Sequence, residues 1–339
     1  MHSFLTRRCL ALLGAFSLLL AVRAAGAEKI KLATLAPTGS TYHKSLLTLR
    51  ESWKKSSNGG LDLVIYADGK LGGETDTVGL MGVNSVQAAM LTGVGLAEIE
   101  AGVAALQSLP MGFRDFDEVD HVGEKMHPML EERLLKKGYQ VLFWADAGWV
   151  RFFAKKPVAV PDDLKKLKLF TWAGNPAQVE IYTAAGMKPV ALETADIVPG
   201  LQTGLIEAVP VPPIFALRTQ IDGRAPHMLE LNWAPLIGAC VIRRESWEKI
   251  PADQRKSLLE AARTAGSEIQ ANGRKESEEA VKAMEQRGLK VTKVTPDIEA
   301  AWRKAAEDAW PKIRGTMVPA DVFDDAIKLI REYRASKTK

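Results

Sequence analysis

From Pro251 to Arg287 the sequence offers almost nothing that breaks a helix, the exceptions being Gly266, Gly273 and their neighbours. A continuous helix over that span would be roughly 55 Å long, more than the width of one domain. Its apolar residues gather at the two ends, Leu258, Leu259 and Ala262 near the start and Ala280, Val281 and Met284 near the finish, whereas Ser267 to Glu279 is mainly polar. Such patterning buries each end and leaves the middle wet, so the segment reads as a brace docked on two lobes. Two ordinary helices broken at Gly273 are the alternative, because an internal glycine costs about 1 kcal/mol relative to alanine.

The remaining segments alternate strand and helix. Ile30, Leu32 and Thr34 alternate with Lys31 and Ala33 as a strand, which turns at Pro37-Thr38-Gly39-Ser40 into an amphipathic stretch around Tyr42 to Lys54. Leu61 to Ala67 and Ser85 to Thr92 repeat the strand signal, Asp115 to Lys137 is helical, and Gln140 to Ala145 is a strand again. A second cycle opens near Arg151, with Lys168 to Trp172 as strand, Asn175 to Ala185 as helix and Gln202 to Val209 as a turn leading into a strand. The expected fold class is α/β, with two lobes joined by extended hinge strands and the long bridging helix.

Met1 to Ala27 has a charged start (Arg7, Arg8), an apolar stretch from Leu10 to Val22 and small residues ending at Ala27, the organisation of a cleaved signal peptide. Export through the general secretory route is preferred to the twin-arginine route that Thr6-Arg7-Arg8 leaves open. The expected location is the periplasm. The 45 Lys and Arg against 41 Asp and Glu give a formal charge of +4, but Arg7, Arg8 and Arg23 belong to an acid-free leader, so the exported body carries only +1. Nucleic-acid binding is excluded on that ground, since it needs a larger or more clustered excess. Cys9 leaves with the leader, and Cys240, alone in the run Leu236 to Ile242, reads as a buried hydrophobe.

No nucleophile elbow, H-E-x-x-H, phosphate loop, C-x-x-C pair or EF-hand spacing occurs. Of the histidines beyond the leader, His43, His121, His127 and His227, none is spaced from another as paired helical metal ligands would be. Neither catalysis, metal nor cofactor is expected, and binding is the default function.

Several segments taken together resemble the DctP-type solute receptors of tripartite ATP-independent periplasmic (TRAP) transporters. They are Asp68 to Glu74, Leu109 to Phe113, Gly148 to Arg151, Pro161 to Lys168, Gly186 to Val190 and Leu201 to Glu207. The resemblance implies two α/β domains closing over a small organic solute, a long bridging helix, and delivery to separate membrane permease subunits, through which alone the receptor meets the membrane. Lobe I would comprise residues 28–148 plus about 236–275, and lobe II residues 149–235 plus about 276–339. In most such receptors an arginine on the strand after the D-L-K-x-L-K segment grips a ligand carboxylate, and here its place falls on Phe170. Phe170 and Trp172 share a strand face, so the wall is expected to present two aromatic rings. After Gln202-Thr203-Gly204, where such receptors tend to offer an acid and an asparagine, this chain runs Glu207-Ala208-Val209-Pro210-Val211-Pro212-Pro213, a lip that has lost polar side chains and backbone donors.

The expected cargo is therefore apolar or aromatic with at most one carboxylate. Candidate ligand-binding residues are Phe170, Trp172, Arg151, Trp149, Asn175, Trp233, Ser40 and Thr41. Arg151 either holds an acid group or pairs with a protein carboxylate. For the tryptophans core packing competes with a cleft role, and for Ser40, Thr41 and Asn175 helix capping does. The rivals are an ordinary organic-acid receptor using Arg151, a periplasmic enzyme with an unrecognised site, and a sensory or scaffold subunit.

Overall fold

The computed structural model describes residues 27–337; residues 1–26, which hold nearly all of the expected leader, lie outside it. Among the described residues no helix is long and apolar enough to cross a membrane. The strands are β1 (Glu28–Thr34), β2 (Leu61–Tyr66), β3 (Ala88–Thr92), β4 (Tyr139–Ala154), β5 (Lys168–Trp172), β6 (Lys188–Leu192), β7 (Ala208–Val211), β8 (His227–Arg243) and β9 (Lys290–Thr292). They form one mixed sheet in the order β2-β1-β3-β8-β4-β7-β5-β6, with β9 beside β8.

Two strands make this sheet two-lobed. β4 and β8, 16 and 17 residues long, run antiparallel through both halves. β3 pairs with the second half of β8, and β7 pairs with the second half of β4. Three parallel strands thus complete each half: β2, β1 and β3 on one side, β7, β5 and β6 on the other. The β4–β8 register slips between Asp146 and Trp149, where the pair passes from one half to the other. Such irregularities bend a strand locally, and here the bend lies between the lobes. The sequence pattern marks only Gln140 to Ala145 of β4, because beyond Ala145 both faces are covered and the alternation disappears.

The long helix is continuous from Ala252 to Glu285, 34 residues or about 51 Å. Near its start, Leu258 and Ala262 join a core with Leu46, Leu49 and Trp53 of the helix Thr41–Ser56, and the Trp53 indole donates to the Leu258 carbonyl at 3.0 Å. Near its end, Val281 and Met284 pack with Ile214, Ile221 and Met228, and Arg287 reaches the buried Asp222 at 3.0 Å. Each end is therefore held by a different half of the sheet.

The placing of the whole tail, residues 276–339, with lobe II needs correction. The helix Ala320–Lys337 packs on Phe116–Lys136 of the first half, burying Val322, Phe323, Ala326 and Ile330. Arg334 clasps Glu118 through two nitrogens, each at 2.7 Å, and Arg133 binds Asp321 at 2.5 Å. Its apolar stripe fits either lobe in sequence terms, and these ion pairs fix which one it covers.

Candidate functional site

In parallel sheets ligands collect at the carboxyl ends of the strands, and here those ends face each other across the gap. A cavity of about 130 Å³ lies between them. Its first wall is Leu35, Ala36 and Pro37 after β1, and Met90, Leu91 and Thr92 at the end of β3. Its second wall is Trp172 at the end of β5, Val211 and Pro212 at the end of β7, Ile197, and Ile214 and Phe215 of the short helix Pro213–Arg218. The crossing strands supply the floor through Ala145 to Ala147 and Leu236 to Gly238.

Most of this surface is apolar, and its charged members are few. Glu74, at the start of the helix Glu74–Gly82, is buried; its carboxylate accepts from the Thr92 amide and hydroxyl, both at 2.6 Å, and from the Gly95 amide at 3.0 Å. Burial raises its pKa above the usual carboxylate range despite these donors. Asp146 is buried too, held by Arg274 of the long helix at 2.7 Å and by the Gly148 amide at 3.1 Å, and burial likewise raises its pKa. Tyr42 donates from its hydroxyl to the Asp146 carbonyl at 3.1 Å. The remaining charge is Arg218, exposed at the lip.

Two of the eight candidate residues line this cavity. Trp172 presents its indole, and Ser40 lies at the edge, where its hydroxyl donates to the Pro37 carbonyl at 2.6 Å and caps the helix that follows. Phe170 does not line it, which corrects the expectation of two rings on the wall. The ring shares a face with Trp172 and packs edge-on against it at 5.0 Å, yet it is 0% exposed and belongs to the core with Ile197, Leu201 and Val209. Strand alternation sets the face of a side chain and leaves its depth open.

Arg151 is also turned elsewhere. Its Nη2 donates to Glu278 of the long helix at 2.8 Å and to Asn232 at 3.4 Å, and the residue is 5% exposed. It therefore makes the protein ion pair that was the alternative reading. Thr41 donates to Glu276 of the same helix. Trp149 packs on Phe116 at 5.0 Å, in a cluster with Ile181 and Ile237. Asn175 and Trp233 line a second cavity of about 370 Å³ between the halves, bounded by Gly93 to Glu98 on one side and Gly174 to Gln178 on the other. Asn175 caps the helix Pro176–Ala184 through its side chain, and Trp233 packs on Phe152 and Trp302.

Glu74, Asp146, Phe215 and Arg218 were not among the candidates. Glu74 closes the Asp68 to Glu74 motif, so its signal is present in the sequence; Asp146 and Arg218 owe their places to the long-range pairing of β4 with β8 and to the turn after β7.

Comparisons with known proteins agree with this architecture. The family model DctP, described as bacterial extracellular solute-binding protein, family 7, matches residues 32–315. The C4-dicarboxylate-binding periplasmic protein DctP of Rhodobacter capsulatus is 27% identical over 311 residues, covering 88% of this chain and 92% of that one. Two crystal structures of TRAP periplasmic solute-binding proteins are similar in fold. One, from Ralstonia eutropha with bound (S)-2-acetolactate, has a TM-score of 0.83 at 22% identity over 90% of this chain and 99% of that one. The other, from Sulfurospirillum deleyianum with bound succinate, has a TM-score of 0.81 at 21% identity with the same coverage.

Proposed function

Because the chain belongs to family 7 of the bacterial extracellular solute-binding proteins, the DctP family, we propose that the cavity between its halves is a TRAP receptor's solute site and that it takes an apolar or aromatic cargo with at most one carboxylate. The observation that carries the cargo reading is the wall itself. Trp172, Phe215, Ile214, Val211, Leu35 and Met90 meet there from both halves, and its two buried acids are already satisfied by the protein. A site lined by aromatic and aliphatic groups captures solute mainly by removing apolar surface from water. The leader, residues 1–27, delivers the chain to the periplasm, and the closed receptor docks on separate permease subunits. Lobe I comprises residues 28–148, about 236–275 and the last helix; lobe II comprises residues 149–235 and the stretch from about 276 to Ile313. Capture and release make and break no covalent bond.

Acid ligands among the relatives, C4-dicarboxylate and succinate, favour a second reading, an organic-acid receptor. Calorimetry with matched carboxylates and neutral analogues separates the two. The apolar reading expects neutral aromatic solutes to bind and succinate not to bind. Tight succinate binding that Arg151→Ala abolishes would overturn it.

A further inference from the structure

The charges around the cavity do not balance in the way its neutral walls suggest. Glu74 and Asp146 are the lining acids, and both have their oxygens engaged by protein donors. Arg218 is the lining cation, and among the described residues its guanidinium makes no ion pair and no hydrogen bond. It sits at the end of the helix Pro213–Arg218, on the lip of the second half, exposed to solvent. The unpaired charged group on the cavity, among the described residues, is thus a cation at its mouth, with apolar surface beneath.

We propose that Arg218 is the specificity-determining residue of the site and that the cargo is a small monoanion. Its apolar body, about one six-membered ring in size, fills the cavity, and its single carboxylate meets the guanidinium at the lip. This rests on the apolar-site reading above and deepens it. The size follows from the volume: about 130 Å³ compares with the roughly 150 Å³ apolar cavity that accommodates benzene. The limit of one charge follows from the floor, since a second carboxylate on the same small body would be driven toward Glu74 and Asp146, where it would meet like charge without a free donor. The guanidinium fork takes a carboxylate through two parallel N–H groups, geometry that a lysine ammonium does not reproduce.

Benzoate and benzamide test this, being nearly identical in shape and different in charge. Calorimetry on the full mature chain is expected to show benzoate bound about fivefold to tenfold more tightly than benzamide, the ratio shrinking as salt is raised. In Arg218→Gln the ratio falls to about one, and Arg218→Lys keeps only part of it. Equal binding of the two probes by the unaltered protein, or a ratio that survives Arg218→Gln, overturns the role of Arg218 and leaves the apolar site standing. Binding of neither aromatic probe at millimolar concentration, with or without binding of succinate, overturns the apolar site and this inference with it.

Discussion

Phe170 and Trp172 divide between them two functions that a strand pattern merges. Both rings lie on one face of β5, but Phe170 is the layer underneath, and Trp172 is the surface that the cavity meets. Removing the lower ring leaves a hole that packed neighbours cannot fill, so Phe170→Ala is expected to cost about 3–5 kcal/mol of unfolding free energy. Trp172→Ala, at a half-buried position, is expected to cost less stability and to weaken solute binding about tenfold or more. Urea denaturation with calorimetry on both variants checks the division; the idea fails if the two variants lose stability and affinity in the same proportion. At this scale the sequence was only partly legible. The place of the missing arginine, the face it shares with Trp172 and the cap made by Ser40 are local facts and could be read. The inward depth of Phe170 and the turning of Arg151 toward Glu278 depend on what lies across from each strand.

The long helix shows the same limit in an element. Its span and its two apolar ends were legible because they are matters of spacing, and Gly273 was the doubt. In the structure Gly273 is buried where the helix crosses Tyr42, and a methyl group there would stand 2.3 Å from the tyrosine oxygen. The glycine serves close approach, so its propensity cost of about 1 kcal/mol is offset by contacts between helix and lobe. Gly273→Ala is therefore expected to destabilise the protein by about 1–3 kcal/mol even though alanine is the better helix former. Tyr42→Phe removes the overlapping oxygen at the cost of its bond to the Asp146 carbonyl, about 1 kcal/mol. In the double variant the two losses should sum to less than their separate values. Additive losses in thermal denaturation would mean that Gly273 is tolerated for another reason. The lengths of β4 and β8 were the element-scale facts that sequence did not yield, and they are what makes one sheet into two lobes.

Closure of the whole molecule brings together groups that no local pattern connects. Glu193, which follows β6 in the second half, lies over Gly73 in the first, so closely that a methyl group on Gly73 would fall 1.9 Å from the carboxylate. Gly73 has ordinary extended backbone angles, φ −70° and ψ −174°, which alanine adopts without strain. The atoms met are the tip of the flexible Glu193 side chain, so Gly73→Ala should leave lobe I intact and turn that carboxylate aside, with little change in the radius of gyration in small-angle scattering. Burial, then Asp76 and Asp196, raises the Glu193 pKa in this closed arrangement, with Glu74 the further acid in its field. An open form would expose Glu193 and return it toward its ordinary value, so closing takes up a proton. The sign follows: closure is unaffected by this group at pH below the ordinary carboxylate range, weakens as pH rises through that range to the raised value, and is level above it. Energy transfer between dyes on the two lobes, read from about pH 4 to pH 8, should show more closed receptor at the acid end. Glu193→Gln should flatten the curve and keep the receptor as closed at neutral pH as the unaltered protein is in acid. A flat profile in the unaltered protein, or a slope that persists in Glu193→Gln, would place the control of closing elsewhere.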